Sequence, residues 1–305
     1  MNQGPMISNV LSLFDGMSCG QIALNRAGIT YDNYYASEID KHAIKVTQHN
    51  YPNTIQLGDV TKIKSSDLPK IDLLIGGSPC QGFSFSGKQL NFDDPRSKLF
   101  FEFVRLVKEC QPKYWLLENV VMKKEFEQVI TEQLGVEPVK INSSLVSAQN
   151  RVRLYWANFD IVEPKDRGIK LNDILEDVET LGQTTNLNKA TILGRRLNDK
   201  GIREDYNKNI PITQCLEVRA SNRDKSNCIT TVAKDNVLTT MPIGRHPDAF
   251  KNKLPFRYFT TKEYCRLQTV PDDYFDGVAT ENQIRKMIGN GWTVDVIAHI
   301  FQGLV

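Results

Sequence analysis

The chain has 305 residues, of which 40% are hydrophobic and 24% charged, and its 38 Lys and Arg nearly balance 36 Asp and Glu. That is ordinary globular composition with room for one large domain or two, and a net charge of +2 says nothing by itself about a polyanionic partner. No apolar run approaches the length of a membrane-spanning helix, and "MNQGPMISNVLSLF" lacks the basic start and long apolar core of a signal peptide, so a cytoplasmic chain with no membrane partner is expected.

The first half alternates in the manner of parallel βα units. "NVLSLF" (9–14) predicts a buried strand, "CGQIALNRAG" (19–28) a helix closed by glycine, "NYYASE" (33–38) a second strand and "IDKHAIKVTQHNY" (39–51) a second helix. "IDLLIGG" (71–77) is a strand with apolar residues on both faces, followed by the amphipathic helix "SKLFFEFVRLVKEC" (97–110). "KYWLLENV" (113–120) and "KKEFEQVITEQLG" (123–135) repeat the unit, and "RVRLYWANF" (151–159) is expected as an edge strand. From about Asp160 the periodicity fades. Between Arg195 and Lys253 there are 12 Lys and Arg against 7 Asp and Glu, in a stretch rich in Asn and Thr. A small loop-rich module with a polar binding surface fits this, and so does a decorated insertion with a solvated face. The last fifty residues return to helix: "TTKEYCRLQTVPDDYF" is capped, and "ENQIRKMIGNGWTVDVIAHIFQGL" reads as helix, glycine turn, helix.

The six cysteines (Cys19, Cys80, Cys110, Cys215, Cys228 and Cys265) form no C-x-x-C pair, and none lies near a histidine at metal-ligand spacing. Reduced thiols and no bound metal are expected. Cys80 stands apart, because "IGGSPCQGFSFSGK" brings it out at the end of a buried strand between glycines. "LFDGMSCG" (13–20) is a strand, a glycine turn and a helix start, where backbone can approach a ligand; an ordinary βα turn has the same pattern. Glu38 ends the second strand, placed to accept from ribose hydroxyls, and Asp59 ends the third, placed to accept from an adenine amino group. The G-x-G-x-x-G fingerprint is missing, which favours an adenosine cofactor without a pyrophosphate over NAD.

Taken in order, "FDGMSCG", "GGSPCQGFS", "ENV", "QNRVR", "RLQTVPDDY" and "GNGWTV" resemble the motifs of the cytosine-5 DNA methyltransferases across nearly the whole chain outside the polar insertion. "DPRSKLFFEFVRLVKECQPKYWLLENV" and the Gly-Trp of "GNGWTV" are most similar to the branch that methylates de novo in animals. With no extra regulatory domain, a stand-alone bacterial or phage-type enzyme is expected. The cofactor loop "DGMSCG" departs from the commoner F-x-G-x-G. The resemblance implies an α/β, Rossmann-like S-adenosylmethionine-dependent methyltransferase fold, a mostly parallel sheet flanked by helices, with a smaller recognition domain. The implied cofactor is S-adenosyl-L-methionine, leaving S-adenosyl-L-homocysteine. Its expected contacts are Phe14, Asp15, Gly16, Ser18, Cys19, Gly20, Glu38, Ile39, Asp59, Val60, Gly77, Leu99, Asn290 and Trp292.

The implied chemistry accounts for the exposed cysteine. Cytosine C5 is a poor nucleophile, and a thiolate added at C6 makes it electron-rich. Cys80 is the expected nucleophile, on a segment shaped by Pro79. Glu118 in "LLENV" is expected at N3 in its protonated form and as an acceptor for the 4-amino group, although Glu-Asn is also a helix-capping pair. Arg151 and Arg153 alternate on one side of a strand; the resemblance puts Arg153 at the cytosine O2, and Arg151 is expected to brace the catalytic loop or Glu118. The base must leave the duplex to be reached. The loop after Cys80 is the expected lid, with Ser84, Lys88 and Arg96 as candidate DNA contacts.

Residues 160–256 are the expected target-recognition region, between a catalytic and cofactor domain of 1–159 completed by 257–305. Arg195, Arg196, Arg219, Arg223 and Arg245 are its candidate groove readers. The expected partner is double-stranded DNA, met by a monomer, and a cognate restriction enzyme of the same host is a candidate companion. Three other readings stay open: a transfer-RNA methyltransferase of the same fold, a catalytically silent DNA-binding relative, and an unrelated dinucleotide oxidoreductase.

Overall fold

Alternating apolar side chains give the first sheet two covered faces. The computed structural model describes residues 6–78, 95–176, 187–219 and 224–304. In β1 (Met6–Leu13) Val10 joins one packing layer while Leu11 and Leu13 join the other. The same division runs through β4 (Leu73–Gly77) and β5 (Tyr114–Val120), where Leu73, Ile75 and Leu116 face one layer and Leu74 and Leu117 the opposite one. Helices α1 (Cys19–Arg26) and α2 (Lys41–Asn50) cover the first face, joined by α7 (Glu281–Asn290) and α8 (Val294–Phe301) from the end of the chain. Helices α3 (Pro95–Cys110) and α4 (Lys124–Leu134) cover the second.

The strand order is β3-β2-β1-β4-β5-β7-β6, with β2 at Thr30–Ser37, β3 at Ile55–Gln56, β6 at Val139–Asn142 and β7 at Val152–Ala157. Pairings from β3 through β5 are parallel, and β7 runs antiparallel to both β5 and β6. The expected edge strand is therefore interior: β6 takes the edge, and its four residues "VKIN" carry too little apolar pattern to be found from sequence. The third strand is also shorter than expected. Asp59 lies beyond it and caps a 3₁₀ turn at Val60–Lys62 by accepting from the Thr61 N–H (3.0 Å).

After the short helix α5 (Leu171–Ile174), a second sheet forms, with order β11-β9-β8-β10-β12 and antiparallel pairings. Its long members are β8 (Asn188–Arg196) and β9 (Ile212–Val218), while β10 (Val237–Thr239), β11 (Gly244–His246) and β12 (Phe256–Tyr258) have three residues each. Helix α6 (Thr261–Leu267) then starts with the predicted cap. Thr260 accepts from the Glu263 N–H, Glu263 accepts from the Thr260 N–H, and the buried Glu263 carboxylate also holds Arg257 of β12 through two bonds of 2.7 Å. Among the described residues no helix is long and apolar enough to cross a membrane.

Candidate active site

The turn leaving β1 has a backbone that few side chains adopt. Phe14 (φ 58), Gly16 (φ 60) and Ser18 (φ 65) all lie in the left-handed region, where only the glycine is free of steric cost. Neighbours hold it there: the Asp15 N–H donates to Ser37 O (3.1 Å) and the Gly16 N–H to Glu38 Oε2 (2.8 Å). Glu38 Oε1 accepts from the N–H groups of Ile39 (2.7 Å) and Asp40 (2.8 Å), so three amides aim this carboxylate. Asp15 is buried, with Oδ1 accepting from the Tyr34 hydroxyl (2.7 Å) and Oδ2 without a partner among the described residues. Burial pushes its carboxyl up to about 6. The Ser12 and Ser18 hydroxyls lie close enough to offset part of that burial, but neither makes a well-formed hydrogen bond to Oδ2, and a cationic or N–H ligand would complete it.

These residues line a cavity of about 380 Å³ at the carboxyl ends of β1 to β5. This is the crevice open parallel sheets use for ligands, beside the point where strand order reverses between β1 and β4, and the volume suits a small organic molecule. Of the expected cofactor contacts, Phe14, Asp15, Gly16, Cys19, Glu38 and Ile39 line it from the first two units. Asp59, Val60, Gly77, Leu99, Asn290 and Trp292 line it from later segments. Ser18 and Gly20 do not. The Ser18 hydroxyl accepts from Gln21 Nε2 (2.8 Å), and a Cβ on Gly20 would stand 2.5 Å from the Tyr34 hydroxyl and 2.6 Å from Ile75 Cδ1. Gly20 therefore seats α1 on the sheet rather than admitting a ligand. Thr61 holds the Asp59 carboxyl below the usual carboxylate range through its N–H and hydroxyl.

The other end of the cavity is built around Glu118. In the β4–β5 register it lies opposite Gly77, where a Cβ would stand 2.8 Å from Trp292 Nε1 and 3.1 Å from Glu118 Oε2. Glycine is needed so that Trp292 can reach across: its Nε1 donates to Glu118 Oε2 (3.0 Å), while Arg153 Nε pairs with Oε1 (3.0 Å). Burial would lower the Arg153 pKa, but the Glu118 charge together with Cys228 and Tyr155 outweighs it and holds the guanidinium above its ordinary range. Asn119 Nδ2 donates to Ser78 Oγ (2.9 Å), anchoring the last described residue before Pro79. Sequence reading treated Asn119 only as a motif letter or a cap; its tether to Ser78 is visible only in three dimensions.

Of the two partners expected for Arg151, Glu118 is not in hydrogen-bond contact with it, and the catalytic loop lies outside the described residues. The buried Arg151 guanidinium donates to Ile229 O (3.0 Å), Gly289 O (3.2 Å) and Gly291 O (2.8 Å), tying the start of β7 to the loop before β10 and to the turn after α7. Burial, with repulsion from Arg153, lowers its pKa. Gly289 makes that junction possible, since a Cβ there would meet the Thr230 backbone at 2.5 Å. Cys80, Pro79, Ser84, Lys88 and Arg223 lie outside the described residues, as does the side chain of Arg96 in α3. Among the described residues no group of His, Cys, Asp and Glu is arranged to hold a metal ion.

The sequence profile of the C-5 cytosine-specific DNA methylases matches residues 8–305. The chain belongs to that family. A type II methyltransferase of Lactococcus lactis subsp. cremoris, M1.ScrFI, is 30% identical over 97% of this chain and 77% of its own length. The orphan methyltransferase M.SPRI of Bacillus phage SPR is 37% identical over 55% of this chain, and the match spans 42% of the phage protein, well under its full length. These relatives, a bacterial type II methyltransferase and a phage orphan methyltransferase, agree with the expected bacterial or phage type. A putative DNA modification methyltransferase encoded within an E. coli prophage shares the fold at a TM-score of 0.64 and 22% identity, with 97% of this chain and 98% of that one covered.

In this member of the family the candidate groove readers separate into different environments. Arg195, Arg219 and Arg245 converge on Glu217 of β9, at 2.8, 3.3 and 3.2 Å. Arg196 is excluded from that group: its side chain leaves the opposite face of β8, and its Nε is buried with no partner among the described residues. The search for readers from sequence missed Glu217, because an acidic residue in a basic stretch reads as charge balance.

Proposed function

We propose that the chain is an S-adenosylmethionine-dependent DNA (cytosine-5) methyltransferase that acts on a cytosine flipped out of duplex DNA. The observation that carries this reading is the Glu118–Arg153 pair, a carboxylate and a guanidinium 3.0 Å apart at the wall of a cavity formed by the strand ends. A single pyrimidine edge inserted there meets an acid for N3 and the 4-amino group and a cation for O2, the groups that ease attack at C6. Trp292 and Arg153 hold the Glu118 carboxyl in place from both sides, so it needs little reorganisation when a base arrives.

The opposite end fits the cofactor. The orphaned Asp15 oxygen is suited to the ammonium group of an amino-acid moiety, and the Glu38 carboxylate, aimed by three amides, to a ribose diol. Asp59 and Val60 would flank the base, with Asn290 closing the same side. S-adenosylmethionine bound there supplies an electrophilic methyl group. Cys80 supplies the nucleophile: its thiolate sulfur bonds to C6, electron density moves to C5, and after alkylation C5 loses its proton while the C6–S bond breaks to return the thiolate. Arg151 acts as a brace, keeping β7 and therefore Arg153 in register with the turn that carries Trp292.

Residues 160–256, whose sheet is carried by 188–258, serve target recognition, and Ser84 and Lys88, from the segment after Cys80, and Arg96, in the first turn of α3, contact the DNA backbone. The RNA-directed and catalytically silent readings are not favoured, since the matching family is one of DNA methylases. The test is a covalent trap. Duplex DNA containing 5-fluorocytosine and S-adenosylmethionine should yield a stable protein–DNA adduct with the wild-type chain and none with Cys80→Ala. An adduct of equal yield in the variant would remove the mechanism, and bisulfite sequencing of the wild-type product identifies the modified cytosine.

A further inference from the structure

The second sheet has one apolar and one charged face, and the charged face is organised by a single acid. Ala190, Ile192, Leu216, Val218 and Val237 pack together on the first face. Alternation puts Thr191, Arg195, Glu217 and Arg245 on the other, with Glu217 directly opposite Arg245 on β11 and Thr191 on β8. Glu217 Oε1 accepts from Arg195 Nε (2.8 Å) and Arg245 Nε (3.2 Å), and Oε2 from Arg195 Nη2 (3.4 Å) and Arg219 Nη2 (3.3 Å). A carboxylate offers about four acceptor positions, so this one is saturated. Three guanidinium groups share one negative charge. Burial alone would raise the Glu217 pKa, but the hydrogen bonds from Arg195 and Arg219 bring it down to about 2.

The three arginines are not equivalent. Arg195 is bidentate on Glu217, lies 3.8 Å from Asp205 and is only 13% exposed, so it is spent inside the protein. Arg219 is held by one Nη2 contact and is 68% exposed. Arg245 is held through Nε alone, leaving the Nη1 and Nη2 edge unpaired among the described residues. That edge is the planar fork that matches the O6 and N7 acceptors of guanine in the major groove. A guanidinium pinned at Nε has a fixed direction, which a base edge requires and a phosphate does not.

The location agrees. On the same face, Lys189, Leu238 and Arg257 follow in register toward β12. Leu238 packs into the core of the large sheet, and Arg257 is locked to Glu263 of α6. Thr191 Oγ1 donates to Asp235 O, at the end of the loop whose Cys228 and Ile229 meet Arg151. A chain of contacts therefore links Arg151 at the cavity to the sheet face that carries the arginines. From this we infer that Glu217 is a positioning residue for target specificity, presenting Arg245 to a guanine in the DNA flanking the flipped cytosine, with Arg219 as a neighbouring cation on the backbone. The inference rests on the proposed DNA substrate.

The test reads binding separately from catalysis. Wild type, Arg245→Lys, Glu217→Gln and Arg219→Ala are equilibrated with a randomised duplex library, bound and free DNA are sequenced, and the same samples are assayed for methyl transfer. Wild-type binding should favour guanine at one position or more. Arg245→Lys keeps the charge but loses the fork, and should reduce preference at one guanine by about 10- to 100-fold. Glu217→Gln should relax that same position by a smaller factor while leaving the preference at other positions unchanged. Arg219→Ala should weaken all sequences alike and reduce the salt dependence of binding by about one phosphate contact. The inference is overturned if Arg245→Lys and Glu217→Gln leave the base profile intact, if they weaken every sequence equally, or if the wild type binds without sequence preference. A chain that binds selectively through Arg245 but transfers no methyl group would sustain this inference and defeat the proposed activity.

Discussion

The cavity end of the molecule and the charged face of the second sheet both place arginine beside glutamate, yet they are built in opposite ways. At the cavity one acid has one guanidinium, Arg153, and an indole N–H, and the surrounding atoms are so close that position 77 has to be glycine. On the second sheet one acid has three guanidinium groups, one of them 68% exposed, so positive charge is left over. The first arrangement is complete within the protein and holds a geometry; the second leaves the outer edges of Arg219 and Arg245 without a partner among the described residues. Under the proposed function, the closed pair suits chemistry on any cytosine, and the open cluster suits a choice among DNA sequences.

The contrast is sharpest in what substitutions cost. Arg153→Ala leaves the Glu118 carboxylate facing the cavity wall without its cation, and we expect a loss of about 3 kcal/mol in unfolding free energy with methyl transfer abolished. Arg219→Ala should shift stability by no more than about 0.5 kcal/mol, as for other exposed ion pairs. Urea unfolding of the two variants side by side checks this, and equal losses would erase the distinction.

Next in size is the ionisation of Asp15. Its folded pKa of about 6 exceeds the ordinary value of 3.8, so the folded chain holds the proton more tightly than the unfolded one. Stability from this group is full below the ordinary value and is lost as pH rises through 6, by at most about 3 kcal/mol. In Asp15→Asn the urea midpoint between pH 4 and 7 should be flatter than in wild type. A ligand ammonium on the free oxygen reverses the preference, so cofactor affinity should rise with pH through 6 in wild type and lose that dependence in the variant. A titration calorimetry series across this range would decide it.

Gly77→Ala tests the closeness of the cavity end directly. Trp292 Nε1 and Glu118 Oε2 would both have to retreat from the new methyl. We expect about 1–3 kcal/mol of destabilisation and a fall in kcat of about 100-fold, since displacing a reacting group by roughly 1 Å costs that much. Gly194 makes the comparison on the second sheet: its Cβ would approach only the Ile212 methyl at 2.8 Å and Gln214 at 3.5 Å, and Ile212 is exposed and free to rotate. Gly194→Ala should therefore change stability by less than about 1 kcal/mol and leave kcat intact.

Much of this was legible along the chain because it depends on local pattern. The order of strands and helices through 135 follows apolar periodicity and glycine punctuation, and α6 starts at the capping box that "TTKE" announces. The turn after β1, Glu38 and Glu118 could be picked out because each stands at the end of a strand. What escaped was set by distant partners. Arg151 was expected as a brace, but the carbonyls it donates to lie 78 and 140 residues away, so those partners have no local signature. Gly20 looked like a ligand glycine and is a packing glycine, a difference decided by Tyr34 and Ile75. The edge position passed from β7 to β6 because pairing partners, not the pattern within "RVRLYWANF", choose which strand is outermost.

The residue order alone determined the α/β alternation and the chemical inventory at the strand ends, because both arise from periodicity and side-chain type within a few positions. Tertiary structure alone decided which arginine meets which acid. Arg153, Arg195, Arg219 and Arg245 are the same side chain with the same intrinsic charge, and only the packing that buries Glu118 beside one and Glu217 beneath three separates a closed pair from an open cluster.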